Sequence, residues 1–163
     1  MAARRFRYFR LADEEIAAVL EALAGVACSR AKRTVSVRVR PPHFLAARCC
    51  YNHMAGRLGV VFADALVSHE YVRIFDDAVA LTAMGSQWLG AIGLPIPKGR
   101  AGRSQHLRLC LDSTERRFHL AGTIPSSMLC FLLDAGHLVR AKERSLAVTP
   151  TGKAWFGQLG VKT

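Results

Sequence analysis

The sequence predicts a mainly α-helical protein with small β-hairpins, an α+β fold built from duplicated winged-helix-like half-units. Three observations lead to this prediction. Apolar residues make up 51% of the 163 residues, which is enough for a packed core. Stretches rich in Ala and Leu alternate with short, β-prone runs that flank polar residues. Finally, a set of distinctive residues recurs in the same order in two parts of the chain.

Residues 1–27 predict a short strand followed by an amphipathic helix. The run RFRYFRLA alternates charged and apolar residues with the period of two that is typical of a strand. Asp13 can cap the helix that follows. One face of this helix is an apolar stripe formed by Ile16, Val19, Leu20 and Leu23. Because nothing within the segment can cover the stripe, we expect a partner to pack against it.

Two linkers divide the rest of the chain. Residues 28–43 form a basic connector that ends in two prolines, and residues 95–106 are rich in Pro, Gly and Arg. They bound a first half-unit at residues 44–94 and a second half-unit at residues 107–163.

Each half-unit is expected to contain helix, hairpin and capped helix. Residues 44–69 predict two helices, YVRIFDDAVALT predicts a hairpin, and Thr82 caps the helix that follows. In the second half-unit, CLDSTERRFHLAGTIPSSMLCFLLDAG predicts mainly helix and HLVRAKERSLAVT predicts a hairpin. Thr149 caps the last helix, which begins at Pro150. Pro125 should kink or restart the long helix of this half-unit.

The repeat can be followed position by position. CYNHMAG begins at Cys50 and CLDSTERRFHLAG begins at Cys110, and both end in His, an apolar residue, Ala and Gly. His53, Ala55 and Gly56 recur 66 positions later. A second group recurs 67 positions later and consists of Arg73, Thr82, Gly85, Trp88, Gly90 and Gly93. Trp88 and its counterpart Trp155 are expected at matching core positions.

The net charge of +11 favours an anionic partner, of which nucleic acid is the usual one. A solvated basic surface is the alternative. The first candidates for DNA contact are Arg4, Arg5, Arg7 and Arg10. The tip of the last hairpin, Ala141–Arg144, is either a further contact with the DNA backbone or a solvated turn.

No apolar run approaches the roughly 20 residues of a membrane span, and the N-terminus lacks a signal peptide's apolar region. We therefore expect a cytoplasmic protein without a membrane partner.

The cysteine and histidine pattern raises the question of a metal site. Five cysteines, an odd number, argue against a disulfide framework. Cys50 and His53 would lie one helical turn apart, and Cys110 and His119 supply a second pair. Two thiolates and two imidazoles suit zinc or another thiophilic metal ion in tetrahedral geometry. Against this, Cys precedes His by three residues in one copy and by nine in the other.

Two other interpretations of these residues stay open. The histidines could begin matching helices that pack across a pseudo-twofold axis, with Asn52, Asp112 or Glu115 as hydrogen-bond partners. Alternatively, a cysteine nucleophile could act with a histidine base. The sequence shows no oxyanion motif, Gly-rich phosphate loop or paired acids to accompany such catalysis. We therefore expect a protein that is not an enzyme.

These stretches resemble the longer bacterial members of the ArsR (arsenic-repressor-like) family of winged-helix transcription regulators. RFRYFRLADEEIAAVLEAL is similar to the last wing strand and C-terminal helix of their DNA-binding domain. CYNHMAGRLGVVFADAL, and CLDSTERRFHLAG with LAVTPTGKAW, are similar to the two halves of their C-terminal extension. The resemblance covers nearly the whole chain. It implies a non-catalytic, DNA-binding regulator that forms a homodimer through the helix at residues 13–27.

One departure from the family concerns the DNA-reading helices. Family members begin with a complete winged helix-turn-helix, whereas this sequence starts in the wing. The resemblance therefore implies a truncated gene product, a mis-called start codon or a fragment without the major-groove helices. An effector- or metal-sensing module without its own DNA-reading helix is the alternative function. The family includes metal and metalloid sensors, which agrees with a metal at the Cys/His pairs.

Overall fold

A computed structural model describes residues 40–75, 78–94, 96 and 106–163, together with Ile16, Val19 and Leu23. The chain divides into two units, Met1–Val39 and Arg40–Thr163. In the first unit, the three described residues are helical and exposed, as predicted for this stripe. The predicted wing strand, the rest of the helix and most of the basic linker lie outside the described residues. The predicted domain boundaries stay predictions.

The described part of the second unit is α+β, with five α-helices and four two-stranded antiparallel hairpins. The first seven elements are α1 (Pro42–Ala46), β1 (Arg48–Cys50), β2 (His53–Ala55), α2 (Gly56–Ser68), β3 (Val72–Phe75), β4 (Ala78–Leu81) and α3 (Ala83–Ala91). The others are β5 (Arg108–Leu111), β6 (Phe118–Ala121), α4 (Thr123–Asp134), β7 (Leu138–Arg140), β8 (Leu146–Val148) and α5 (Pro150–Gly157). The order hairpin, helix, hairpin, helix thus occurs twice. Its interpretation as duplicated winged-helix-like half-units stays a prediction.

Two of the hairpins lie where the sequence predicted helix. β1 pairs with β2, and β5 pairs with β6, so the helical predictions for Cys50–His53 and for residues 110–121 were wrong. All three residues of β2 and the last three of β6 are buried. A strand with no exposed face shows no alternation of polar and apolar residues, and its sequence cannot be told from a buried helix by periodicity.

The repeated Ala-Gly pair marks the passage from strand to helix. Gly56 begins α2 with a φ of 78°, and Gly122 precedes α4 with a φ of 116°. L-amino acids with a side chain rarely adopt these angles. At Gly56, a Cβ atom would also lie 2.8 Å from the carbonyl oxygen of Leu45. The glycines therefore allow each helix to turn sharply away from its hairpin.

The other hairpins and the helix caps agree with the sequence. β3 pairs with β4 and β7 pairs with β8, as predicted. The hydroxyl oxygens of Thr82 and Thr149 accept hydrogen bonds from the backbone N–H groups of Gly85 and Gly152, at 2.9 and 3.0 Å. The same two hydroxyls donate to carbonyl oxygens at the start of each preceding hairpin. Each cap thus joins a hairpin to the helix that follows it.

Of the two outcomes predicted at Pro125, a kink or a restart of the helix, the kink is absent, and the helix begins two residues before the proline. Pro125 is the third residue of α4, and the helix runs from Thr123 to Asp134. A proline in the first turn removes no helical hydrogen bond, because the N–H groups of that turn have no partner within the helix. Pro42 likewise begins α1 instead of excluding a helix.

A single hydrophobic core joins the two sets of elements. α2 packs against β6, and α4 packs against β2. The ring of Phe62 in α2 contacts Trp155 and Phe156 in α5, with centroids 6.1 and 5.7 Å apart. Trp88 and Trp155 pack at the edge of the core, 6.4 Å apart, as the repeat predicts. No described helix is long and apolar enough to cross a membrane.

We expect Gly85→Ala and Gly152→Ala to destabilise the protein. An added Cβ would collide with the Tyr71 carbonyl oxygen at Gly85, and with the His137 carbonyl oxygen at Gly152. Overpacking of this kind costs about 1–3 kcal/mol. Thermal and urea unfolding measure the change.

Gly90→Ala and Gly157→Ala are the matched controls, because among the described residues no atom from outside the local helix lies within 4 Å of a Cβ at either position. Both should leave stability unchanged or raise it by up to about 1 kcal/mol. Equal effects at all four glycines would contradict the close approach of helix and hairpin.

Candidate metal centre

Two hairpins place the predicted Cys and His residues together. Cys50 lies directly opposite His53 across β1 and β2. Cys110 lies opposite His119 across β5 and β6 in the same way. Residues opposite each other in an antiparallel pair project to the same face. Because β2 and β6 contact each other, the two Cys/His pairs meet.

The unequal spacing in the sequence reflects a longer turn and one more pair of strand residues. Two residues separate Cys50 from His53, whereas eight separate Cys110 from His119. Four of the six additional residues lengthen the turn, which is 51–52 in the first hairpin and 112–117 in the second, and the other two are the strand pair Leu111 and Phe118. The cysteines therefore do recur in register, opposite the matching histidine, although their offset in the chain is 60 and not 66.

The four side chains form a compact cluster. Their potential ligand atoms all lie within 4.8 Å of one another. The Nε2 atoms of His53 and His119 are 3.2 Å apart. Both histidines are fully buried, and both cysteines are half-buried. The cluster is thus closed on its histidine side and reached from solvent past the sulfur atoms.

The outer nitrogen of each histidine faces an oxygen. The Nδ1 atom of His53 lies 3.4 Å from the Oδ1 atom of Asn52. The Nδ1 atom of His119 lies 3.5 Å from the Oδ2 atom of Asp112, an ion-pair distance. The latter contact does not reach hydrogen-bond geometry, so Nδ1 of His119 has no hydrogen bond among the described residues. Both residues were candidate histidine partners in the sequence.

Asp112 is a buried carboxylate with a full set of partners. Burial by itself would raise the pKa of Asp112. The backbone N–H groups of Thr114, Gly56 and Glu115 donate to it at 2.9, 2.8 and 3.1 Å and outweigh burial. The net effect is a pKa below the usual range for aspartate. Arg48 completes the site as an ion-pair partner.

Arg48 joins the two hairpins. Its side chain is 6% exposed, and the guanidinium donates to the Asp112 carboxylate, to the Thr114 hydroxyl at 3.0 Å and to the carbonyl oxygen of Phe44 at 3.2 Å. Arg48 was not among the site residues predicted from the sequence. The sequence does show that Arg48 belongs to the repeat, because Arg48 and Cys50 both recur 60 positions later, as Arg108 and Cys110.

The side chains of Cys50 and Cys110 are in hydrogen-bonding contact. A hydrogen bond from the Cys110 thiol, with further contributions from His119 and His53, lowers the pKa of Cys50 well below the usual thiol range. The same contact with Cys50, together with burial, raises the pKa of Cys110. The cluster therefore brings two sulfur and two imidazole nitrogen atoms together. This donor set suits a thiophilic cation in tetrahedral geometry.

The structure does not describe the other predicted site. Arg4, Arg5, Arg7 and Arg10 lie outside the described residues, so their assignment to DNA contact stays a prediction.

Comparison with known proteins identifies the class: the chain belongs to the helix-turn-helix (HTH)-type transcriptional regulators. It is 32% identical over 153 residues to the uncharacterized HTH-type transcriptional regulator YdfF of Bacillus subtilis (strain 168). The aligned region covers 93% of this chain and 68% of that relative. No family model matches the chain, and no solved structure matches it.

We expect Arg48→Ala to lower the free energy of unfolding by about 3–5 kcal/mol, because it leaves the Asp112 carboxylate buried without its counter-ion. Urea unfolding measures the change.

The ion pair between Arg117 and Asp64 offers a matched control, since both of its side chains are exposed. Arg117→Ala should cost less than about 1 kcal/mol. Similar losses in the two variants would contradict the buried role of Arg48.

Proposed function

We propose that this protein is a bacterial transcription regulator of the ArsR type, which binds DNA and catalyses no reaction. The observation that carries the proposal is its 32% identity, over 93% of the chain, to a protein named as an HTH-type transcriptional regulator. The resemblance of Cys50–Gly56 and Cys110–Gly122 to the C-terminal extension of ArsR-type regulators supports the finer assignment.

The charge of the chain supports DNA as the partner. Lys and Arg number 23 against 12 Asp and Glu. Residues 40–163 alone hold fifteen Lys and Arg against eight Asp and Glu. Two of these acids, Asp64 and Asp112, are paired with arginines, so they neutralise cations within the protein. Contacts between the remaining cations and phosphates would be salt-sensitive and weakly specific for sequence.

Two segments are the candidates for contact with DNA. Arg4, Arg5, Arg7 and Arg10 come first, because they crowd four cations into seven residues. The tip of the hairpin β7–β8 comes second, since Lys142 and Arg144 are both exposed there. In the proposed regulator, a homodimer forms through the helix of residues 13–27, on which Val19 and Leu23 are exposed. Such a protein would act in the cytoplasm.

We expect the full chain to bind duplex DNA with an affinity that falls steeply as salt rises. Replacing Arg4, Arg5, Arg7 and Arg10 by Ala should reduce the slope of log affinity against log salt by up to about 0.9 for each phosphate that these arginines neutralise. Fluorescence anisotropy with random and operator-like duplexes across a salt series measures both quantities.

A control variant separates local contact from the removal of charge. Replacing four exposed cations of the second unit, Arg57, Arg73, Lys153 and Lys162, by Ala removes the same charge. This variant should retain more of the slope than the N-terminal variant. Absence of binding at low salt would overturn the DNA-binding proposal for this chain. It would favour the alternative, an effector module without its own DNA-reading helix.

A further inference from the structure

We propose that Cys50, His53, Cys110 and His119 form a tetrahedral binding site for one thiophilic divalent cation of the zinc class. An ion bound there would link the hairpin β1–β2 to the hairpin β5–β6. This inference goes beyond the proposed function and does not depend on it, because it concerns a cation held within the second unit.

The two histidine nitrogen atoms have nearly the separation that a shared tetrahedral ion requires. With metal–nitrogen bonds of about 2.0–2.1 Å, a tetrahedral zinc ion separates two ligand nitrogens by about 3.3–3.4 Å. The Nε2 atoms of His53 and His119 are 3.2 Å apart. All four ligand atoms lie within 4.8 Å of one another, so small side-chain adjustments bring both sulfurs to bonding distance. No other group of three or more His, Cys, Asp or Glu among the described residues meets this condition.

The two imidazole rings are oriented with their Nε2 atoms towards each other. If each Nδ1 carries its proton towards the facing oxygen, of Asn52 or of Asp112, both Nε2 atoms present lone pairs to each other. Two lone pairs at 3.2 Å repel unless a cation lies between them. Histidine ligands of metal ions commonly donate Nδ1–H to a carboxylate or carbonyl oxygen in this way. Both rings thus turn an Nε2 atom towards the position that a shared ion would occupy.

The two cysteines would balance the charge of a bound ion and lie where an ion can enter from solvent. Two thiolates neutralise a divalent cation, so the filled site carries no net charge beside the buried histidines. Metal ligands must bind in deprotonated form, and the half-buried sulfur atoms give an incoming ion a path from solvent. Four protein ligands leave no open position for a substrate, which distinguishes a structural or regulatory site from a catalytic one.

The four ligands come from two different hairpins. Each hairpin contributes one Cys and one His, and the two hairpins belong to segments about sixty residues apart. A bound ion would therefore cross-link distant parts of the chain. An ion that binds the folded state and not the unfolded state stabilises the fold. Metal binding should accordingly raise the melting temperature.

The test measures metal binding by the full chain, kept reduced and purified without chelator. Elemental analysis should find about one zinc-class ion per chain. After removal of the metal by chelator, added Co(II) should give the strong visible bands of a tetrahedral site and thiolate-to-metal charge-transfer absorption. Added Zn(II) should abolish this spectrum and raise the melting temperature by several degrees.

Variants locate the site. Cys50→Ser and Cys110→Ser should each weaken Co(II) binding by more than about 100-fold and remove the zinc-dependent rise in melting temperature. Cys130→Ser is the matched control, because Cys130 is exposed on α4 and lies outside the cluster. It should bind Co(II) as the wild type does. Melting of each variant without metal checks that the serine chains still fold.

Two results would overturn the proposal. One is folded, reduced wild-type protein that contains no metal and gives no tetrahedral spectrum with Co(II). The other is undiminished Co(II) binding in both Cys50→Ser and Cys110→Ser. Neither result depends on DNA, so a failure of the metal site is distinguishable from a failure of the proposed regulatory function.

Discussion

The buried carboxylate of Asp112 is the interaction on which the arrangement of the second unit depends. An ion withdrawn from water costs several kcal/mol unless charge and hydrogen bonds satisfy it. Here Arg48 comes from β1, the N–H of Gly56 comes from the start of α2, and the remaining donors come from the turn of Asp112 itself. The carboxylate therefore fixes the first hairpin, the beginning of its helix and the second hairpin in one relative position.

The same constraint shapes the Cys/His cluster. Asp112 faces the outer nitrogen of His119, and Asn52 faces that of His53, so the inner nitrogens converge from opposite hairpins. The two turns reach this result differently. The short turn passes through Tyr51 with a φ of 56°, whereas the long turn wraps around the Asp112 side chain. The two Cys/His pairs are therefore arranged alike, although the residues that hold the histidines differ between the two hairpins.

The elements that the sequence predicted correctly are those that depend on contacts between residues close in the chain. The caps at Thr82 and Thr149 and the hairpins that precede them depend on residues close in the chain. The hairpins that carry the cluster were missed because β2 and most of β6 are buried on both faces, and because Tyr51-Asn52 lacks the Asn-Gly signature of a tight turn. Residue types alone were enough to nominate the four cluster residues. The ion pair of Arg48 with Asp112 joins positions 64 residues apart, and no local pattern reveals such a contact.

The central claim is that two hairpins present two sulfur and two nitrogen ligands to one ion. X-ray absorption spectroscopy at the zinc edge of the full chain tests it most directly. The account predicts about two sulfur neighbours at ~2.3 Å and about two nitrogen neighbours at ~2.0–2.1 Å from the metal. A six-coordinate shell of nitrogen and oxygen alone would contradict it, because such an ion would not be held by Cys50 and Cys110.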